Sequence, residues 1–138
     1  MDKNKTVIKA FNIDFNWFEG KAAPPGLFTG AVPEEHIKWY VDLGVNTFWT
    51  FCTTYNGYAW YPSKIAPVNP GLKGDFMNKC TELGKKNGLQ VYAYMCFGAN
   101  PWWEEQNPER VRPEKDNYIK VVFDDYMSTI FAEYWKRL

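Results

Sequence analysis

Apolar and polar positions along the chain change their period several times, and the changes mark its elements. Over residues 6 to 15, TVIKAFNIDF, β-branched and aromatic residues dominate, and Phe11, Ile13 and Phe15 alternate with Asn12 and Asp14. Alternation with period two predicts a strand with one buried face. After a Gly- and Pro-rich connection, Pro33 opens a stretch in which Ile37, Tyr40, Val41 and Gly44 fall on one side, with Glu34 and Glu35 near its start. That spacing predicts a helix covering a sheet, begun by a proline in its first turn and stopped by Gly44. The same reading places a second strand at VNTFWTFC (45 to 52), a second helix within GDFMNKCTELGKKNG (74 to 88) and a third strand at LQVYAYMC (89 to 96). Asp75 is placed to cap the second helix, Phe76, Cys80 and Leu83 form its stripe, and Gly88 closes it. Residues 97 to 117 are polar and broken by prolines, so they read as irregular. The last segment, 118 to 138, reads as a helix on the spacing of Tyr126, Ile130, Tyr134 and of Met127, Phe131.

Strand and helix therefore alternate three times, which argues for parallel strands joined by right-handed crossovers. The connections that follow strands are long and those that follow helices are short. In (β/α)₈ barrels the post-strand connections build the active site, so the expected fold is α/β: the first three β/α units of a TIM barrel, incomplete, with residues 1 to 138 as one partial domain. A small doubly wound domain binding an anion at a helix start is the alternative. The first connection, NIDFNWFEGKAAPPG, carries neither a Gly-rich dinucleotide fingerprint nor a P-loop.

Composition narrows the partners. Sixteen basic residues balance sixteen acidic ones, without the basic patch of a nucleic-acid binder or membrane-surface protein. No apolar run is long enough to span a membrane, and the first twelve residues lack the apolar core of a signal peptide, so cytoplasmic residence is expected. Cys52, Cys80 and Cys96 are too few and too scattered for a disulfide framework or zinc site and are expected as buried thiols. His36 is the only histidine, which removes histidine triads and multi-histidine metal sites; no metal or other cofactor is expected.

Aromatic residues make up 19% of the chain, and several crowd into one connection, TTYNGYAWYPSK, residues 53 to 64. Asn56-Gly57 signals a tight turn. Flat rings beside short polar side chains are what a sugar site requires, because sugars present apolar C–H faces between hydroxyls. GANPWWEE, after the third strand, offers the same combination. The structural alternative is that Tyr58, Trp60 and Trp102 wedge long loops onto the rim of the fold.

From about residue 10 to about residue 105 the chain resembles the first part of alpha-L-fucosidases and their relatives among barrel glycoside hydrolases. The family pattern after strand two, Lys-His-His-Asp-Gly-Phe, two residues, then Trp-Pro-Ser, is matched by TTYNGYAWYPS at Gly57, Tyr58, Pro62 and Ser63, with Tyr61 in the tryptophan position. DFMNKCTELGKKNGLQVYAYMCFGANPWW resembles the segment around strand three, and IDFNWFEG the strand-one motif ending in His-Trp-Gly. Asn16-Trp17 stand where the family has His-Trp, and Thr54 and Tyr55 where it has paired histidines. Asn, Thr and Tyr also hydrogen-bond hydroxyls. The resemblance implies a carbohydrate substrate and a retaining mechanism, with the nucleophile after a fourth strand that this chain does not reach.

The expected substrate-binding residues are Asn16, Trp17, Asn56, Tyr58, Trp60, Tyr94, Asn100 and Trp102, all at or just after strand ends. Cleavage needs two carboxylates roughly 5 to 9.5 Å apart, and the catalytic candidates are Asp14 and Glu104. Glu105 reads as solvated surface. The leading function is a segment of a glycoside hydrolase that contributes sugar-binding loops; a non-catalytic carbohydrate-binding protein is the second. The chain alone is expected to be inactive and to self-associate through exposed sheet edges.

Overall fold

One side chain, Asn46, joins the starts of three extended segments. Its Oδ1 accepts from Lys9 N at 2.8 Å and its Nδ2 donates to Val7 O at 2.7 Å. Its backbone N–H donates to Lys9 O and its carbonyl accepts from Gln90 N. The computed structural model describes residues 7–96, 99–110 and 125–137. Their elements are β1 (Trp17–Phe18), β2 (Lys21–Ala22), α1 (Pro33–Asp42), β3 (Thr47–Thr53), α2 (Phe76–Lys86), β4 (Gln90–Met95), α3 (Pro101–Gln106), a 3₁₀ turn (Pro108–Arg110) and α4 (Asp125–Trp135). The result is a mixed α/β architecture.

The second and third predicted strands form as β3 and β4, parallel, in register from Thr47 opposite Gln90 to Phe51 opposite Tyr94, with a shift before Thr53 meets Met95. The first predicted strand is corrected. Beside β3 it makes one parallel bridge, Ala10 to Thr47, and no ladder. Its N–H groups go to side chains instead: Lys9 N to Asn46, Ile13 N to Tyr40 Oη at 3.0 Å, and Asn16 N to Asp14. Its alternation survives only over residues 13 to 15, where Ile13 packs on the core, Asp14 is exposed and Phe15 is buried; Phe11 is about half exposed. The connection that follows holds an unanticipated hairpin, β1 against β2, in which Phe18 pairs with Lys21. Glu19 and Gly20 both take positive φ, 49° and 75°, as a two-residue type I′ turn demands.

The helices differ from expectation in detail. α1 buries His36, Ile37 and Tyr40, while Val41 and Gly44 are exposed. α2 is capped by Asp75, whose carboxylate accepts from Asn78 N at 2.9 Å, and it buries Phe76, Met77, Cys80, Thr81 and Gly84. The segment expected to be irregular after β4 contains α3, because Asn100 accepts from Trp103 N and Pro101 occupies the first helical position. In α4, Ile130 and Tyr134 are buried and Phe131 faces outward; residues 118 to 124 of the predicted helix lie outside the described residues. Cys52 and Cys80 are buried as expected, whereas Cys96 is only half-buried. Burial pushes the Cys80 thiol up to about 12 and Cys52 higher still.

Two apolar clusters fill the interior. Phe15, Ile37, Tyr40, Phe48, Phe51, Trp60 and Phe76 form the first, and Cys52, Tyr61, Met77, Ile130 and Tyr134 the second. Gly84 is the closest approach of α2 to the sheet, where a Cβ would stand 2.6 Å from Phe48 Cε1 and 2.8 Å from Val91 Cγ2. Alanine in place of a helical glycine gains about 1 kcal/mol of helix propensity. Overpacking a closed core costs about 1 to 3 kcal/mol, and here the obstacle is a fully buried ring, so the clash prevails. Gly84→Ala should therefore lower the urea midpoint; an unchanged or raised midpoint would refute the close-packing account.

His36 packs against the rings of Phe15, Tyr40 and Phe76. Burial lowers its pKa from 6.5 to about 4. Between those values the unfolded chain binds a proton that the folded chain rejects, so stability falls as pH drops from about 6.5 toward 4, by on the order of 2 to 3 kcal/mol. Denaturant titrations across this window should show that slope, and His36→Phe should flatten it.

Candidate functional site

The connection after β3 folds back on itself. Gly57 N donates to Thr54 O at 2.9 Å, closing the turn, and Gly57 takes φ 89°. The returning strand pairs antiparallel at Thr53 and Ala59, and Trp60 N donates to Cys52 O at 2.9 Å. That return drives Trp60 inward. It is 1% exposed, its ring lies 4.7 Å from Phe15 and 5.3 Å from Phe76, and its Nε1 donates to Thr54 Oγ1 at 3.4 Å. The expectation that Trp60 meets a ligand is corrected, since the ring is sealed in the core. Tyr61 is likewise fully buried.

Other predicted residues gather at the carboxyl ends of the parallel segments. Asp14 Oδ1 accepts from Asn16 N at 2.8 Å and from Asn16 Nδ2 at 2.7 Å. Asn16 Oδ1 in turn accepts from Tyr55 N at 2.7 Å, across 39 residues of sequence. The Trp17 ring stands 5.0 Å from that of Tyr55 and remains half exposed. Tyr94, at the end of β4, closes the group: its hydroxyl is pushed up to about 12, first by burial, then by the neighbouring Cys96 and by the charge of Asp14, while a hydrogen bond with Asn16 opposes the rise. A carboxylate, an amide, two tyrosines and a tryptophan thus share one strand-end surface. Asn12, one residue pair earlier on the Asp14 face, buries an Oδ1 that has no hydrogen-bond partner among the described residues.

Asn56 braces the turn, accepting on Oδ1 from Thr54 Oγ1 at 2.8 Å and Tyr58 N at 3.1 Å and donating from Nδ2 to Ala23 O at 3.1 Å. Asn100, 4% exposed, lies under the turn, so close that a Cβ on Gly57 would sit 1.9 Å from Asn100 Oδ1. The same oxygen accepts from Trp103 N at 3.0 Å, and Nδ2 donates to Tyr126 Oη at 3.4 Å. Asn100 is therefore a structural link between the turn, α3 and α4. Glu104 accepts from Asn100 N at 3.3 Å, a helix-start contact within its own loop. Beside the turn, Pro25, Asn56, Tyr58, Pro101, Trp102 and Glu105 line a cavity of about 160 Å³. Tyr55, Cys96 and Glu105 were not among the expected site residues; the first two flank predicted strand ends, and only the fold brings Glu105 to Tyr58.

No protein-family model matches the chain, and no curated protein sequence matches it. Solved structures do. Alpha-L-fucosidase isoenzyme 2 from Paenibacillus thiaminolyticus superposes with a TM-score of 0.66 over 80% of this chain at 17% identity. An alpha-fucosidase of Thermotoga maritima, in complex with a mechanism-based inhibitor, gives 0.53 over 78% at 13% identity. The noncanonic maltogenic alpha-amylase AmyB of Thermotoga neapolitana gives 0.52 over 92% at 15% identity. The likeness is one of fold, to a part of each of these three structures. The chain spans 16%, 26% and 36% of those three enzymes' lengths, respectively.

The contact beneath Gly57 yields a test. Gly57→Ala combines a backbone at φ 89° with a Cβ on top of Asn100, so the turn and α3 cannot both keep their places. A loss of about 2 to 4 kcal/mol is expected by chemical denaturation. Because Asn100→Gly also removes the α3 cap, the double substitution is compared with the two single ones: it should cost less than their sum, since it removes the obstructing side chain, and simple additivity would show that the backbone alone sets the penalty at Gly57.

Proposed function

We propose that the chain is a segment of an alpha-L-fucosidase-like glycoside hydrolase, the first three units of a (β/α)₈ barrel, supplying sugar-binding loops after its parallel strands. The observation that carries this reading is the hydrogen-bonded run Asp14, Asn16, Tyr55 N–H beside the Trp17 and Tyr55 rings at the strand ends. A pyranose offers a C–H face to stack on Trp17 and hydroxyls to meet Asp14 and Tyr94. With Oδ1 of Asp14 accepting both Asn16 donors, Oδ2 is the oxygen turned to a ligand hydroxyl, an orienting role. Asn16, in the position of the resemblance's histidine, presents the same hydrogen-bonding chemistry without a titrating group.

Hydrolysis with retention requires two carboxylates about 5 to 5.5 Å apart, one attacking and one protonating the leaving oxygen. In this reading the attacking carboxylate belongs to a fourth strand outside the chain, and Asp14 holds the sugar while it is attacked. The inner sheet face, with Tyr92 about half exposed, would be covered by further barrel strands and is the surface through which the isolated chain self-associates. A purely carbohydrate-binding role is the second reading, favoured by Glu104, whose carboxylate is engaged at the start of α3 rather than turned to Asp14.

Calorimetric titration with methyl alpha-L-fucoside tests the proposal. Asp14→Ala or Trp17→Ala should weaken binding by about 1 to 3 kcal/mol, and raising salt to 0.5 M should change it little. The 138-residue chain should not turn over aryl alpha-L-fucosides. Tight phosphate binding that weakens steeply with salt would refute the sugar reading, and turnover abolished by Asp14→Ala would refute the orienting role.

A further inference from the structure

The small cavity beside the turn is separate from the strand-end group around Asp14, Asn16 and Tyr94. Its volume, about 160 Å³, lies well below the 300 to 1,000 Å³ of a typical drug-sized ligand site and suits a single ring. Its walls come from three parts of the chain: Pro25 from the first connection, Asn56 and Tyr58 from the turn, and Pro101, Trp102 and Glu105 from α3. The walls are held in advance. Asn100 wedges under Gly57 and starts α3, while Tyr126 backs Trp102 with ring centroids 6.0 Å apart. Rings fixed by packing lose little freedom when a ligand arrives.

Its polar groups have one sign. The Asn56 carboxamide is already committed, with Oδ1 to Thr54 and Tyr58 N and Nδ2 to Ala23 O. Among the described residues no hydrogen bond or ion pair engages the Glu105 carboxylate or the Tyr58 hydroxyl. A carboxylate is acceptor-only with two oxygens, so it fits a ligand that brings two adjacent donors and no negative charge.

We infer that this cavity is a second carbohydrate subsite, taking one neutral pyranose whose ring stacks on Trp102 and Tyr58 and whose vicinal hydroxyls donate to Glu105, and that it rejects uronates. The inference rests on the carbohydrate reading of the chain but concerns a site apart from the strand ends. Glu105 is its specificity-determining residue. A second carboxylate confined with Glu105 in so small a cavity repels it, which disfavours the acidic sugar while leaving the hydroxyl contacts of the neutral one intact.

The indole N–H resonances of the 138-residue chain, with Trp17 and Trp102 assigned, separate the two sites during titration with methyl β-D-galactopyranoside and with the corresponding galacturonide. The neutral sugar should shift the Trp102 indole, and the galacturonide should bind there at least about tenfold more weakly. Glu105→Gln should bring the two sugars within about threefold of each other. Trp102→Ala should weaken the galactoside at least about fivefold, and Tyr58→Phe, which leaves the packing of α3 alone, about threefold. Asp14→Ala should leave the Trp102 shift unchanged. Shifts confined to Trp17 would overturn the second subsite and leave the carbohydrate reading standing. Shifts at neither indole would likewise overturn the second subsite, the carbohydrate reading being decided separately by methyl alpha-L-fucoside, and equal binding of the two sugars before Glu105 is changed would overturn the assignment of Glu105.

Discussion

The return of the connection after β3 is the constraint on which the rest depends. Trp60 N hydrogen-bonds to Cys52 O, and the Trp60 ring enters a cage of Phe15, Phe51 and Phe76. Four rings from four parts of the chain meet there, and each brings a large apolar area out of water. Because Phe15 is fixed by that cage, Asp14 and Asn16 on either side of it are fixed at the strand ends. Because Trp60 is fixed, the five residues between Thr53 and Ala59 must project from the sheet, which is where Tyr55 and Tyr58 stand. Packing of a buried ring thus decides the placement of half-buried ones.

That division explains what was legible in the sequence. Apolar runs and helical spacing identified β3, β4, α1, α2 and α4 because each packs apolar residues on the interior, which is what such patterns report. The first predicted strand lacks a ladder for a related reason: Ile13 and Phe15 do pack on the core, but a burial pattern says nothing of where the N–H groups go. Tyr40 Oη and Asn46 Oδ1 took them. Trp60 was misplaced since a ring within an aromatic loop looks the same in sequence whether it packs or binds, and only the antiparallel bridge at Ala59 tells the two apart. α3 was missed because six residues give less than two full turns of pattern; its start, Asn100 then Pro101, was readable as a cap. The gathering of Asp14, Asn16, Tyr94 and the turn was legible through the rule that post-strand loops share one end of a parallel sheet.

The strand-end group also shows how orientation is achieved without histidine. Asn16 cannot change charge, so its side-chain hydrogen bonds, among them one received by Asp14 and one accepted from Tyr55 N–H, depend on no titration of its own. The amide therefore acts as a fixed spacer between a carboxylate on one loop and the backbone of another. Charge enters this group through Asp14, and the half-buried Tyr94 hydroxyl, its pKa raised, stays neutral. The group thus offers a set of neutral donors and acceptors with a single carboxylate.

α4 fastens the far end of the same connection. Glu133 accepts from Tyr61 Oη, Ser63 Oγ and Lys64 N, and Arg137 pairs with Asp75, donates to Pro62 O and lies 4.5 Å over the Tyr61 ring. Burial by itself would raise the Glu133 carboxyl, yet the hydrogen bonds and the nearby Arg137 outweigh it and hold the group below its ordinary range. A carboxylate so held stays charged and keeps its three donors. The connection is thus tied at Trp60 from within and at residues 61 to 64 from outside, and the turn between is held by ties of its own, from Asn56 to Ala23 O and from Tyr55 N to Asn16. Asn100 beneath Gly57 adds a support from outside the turn, so that a buried amide in the cap of α3 helps to place the half-buried tyrosine rings.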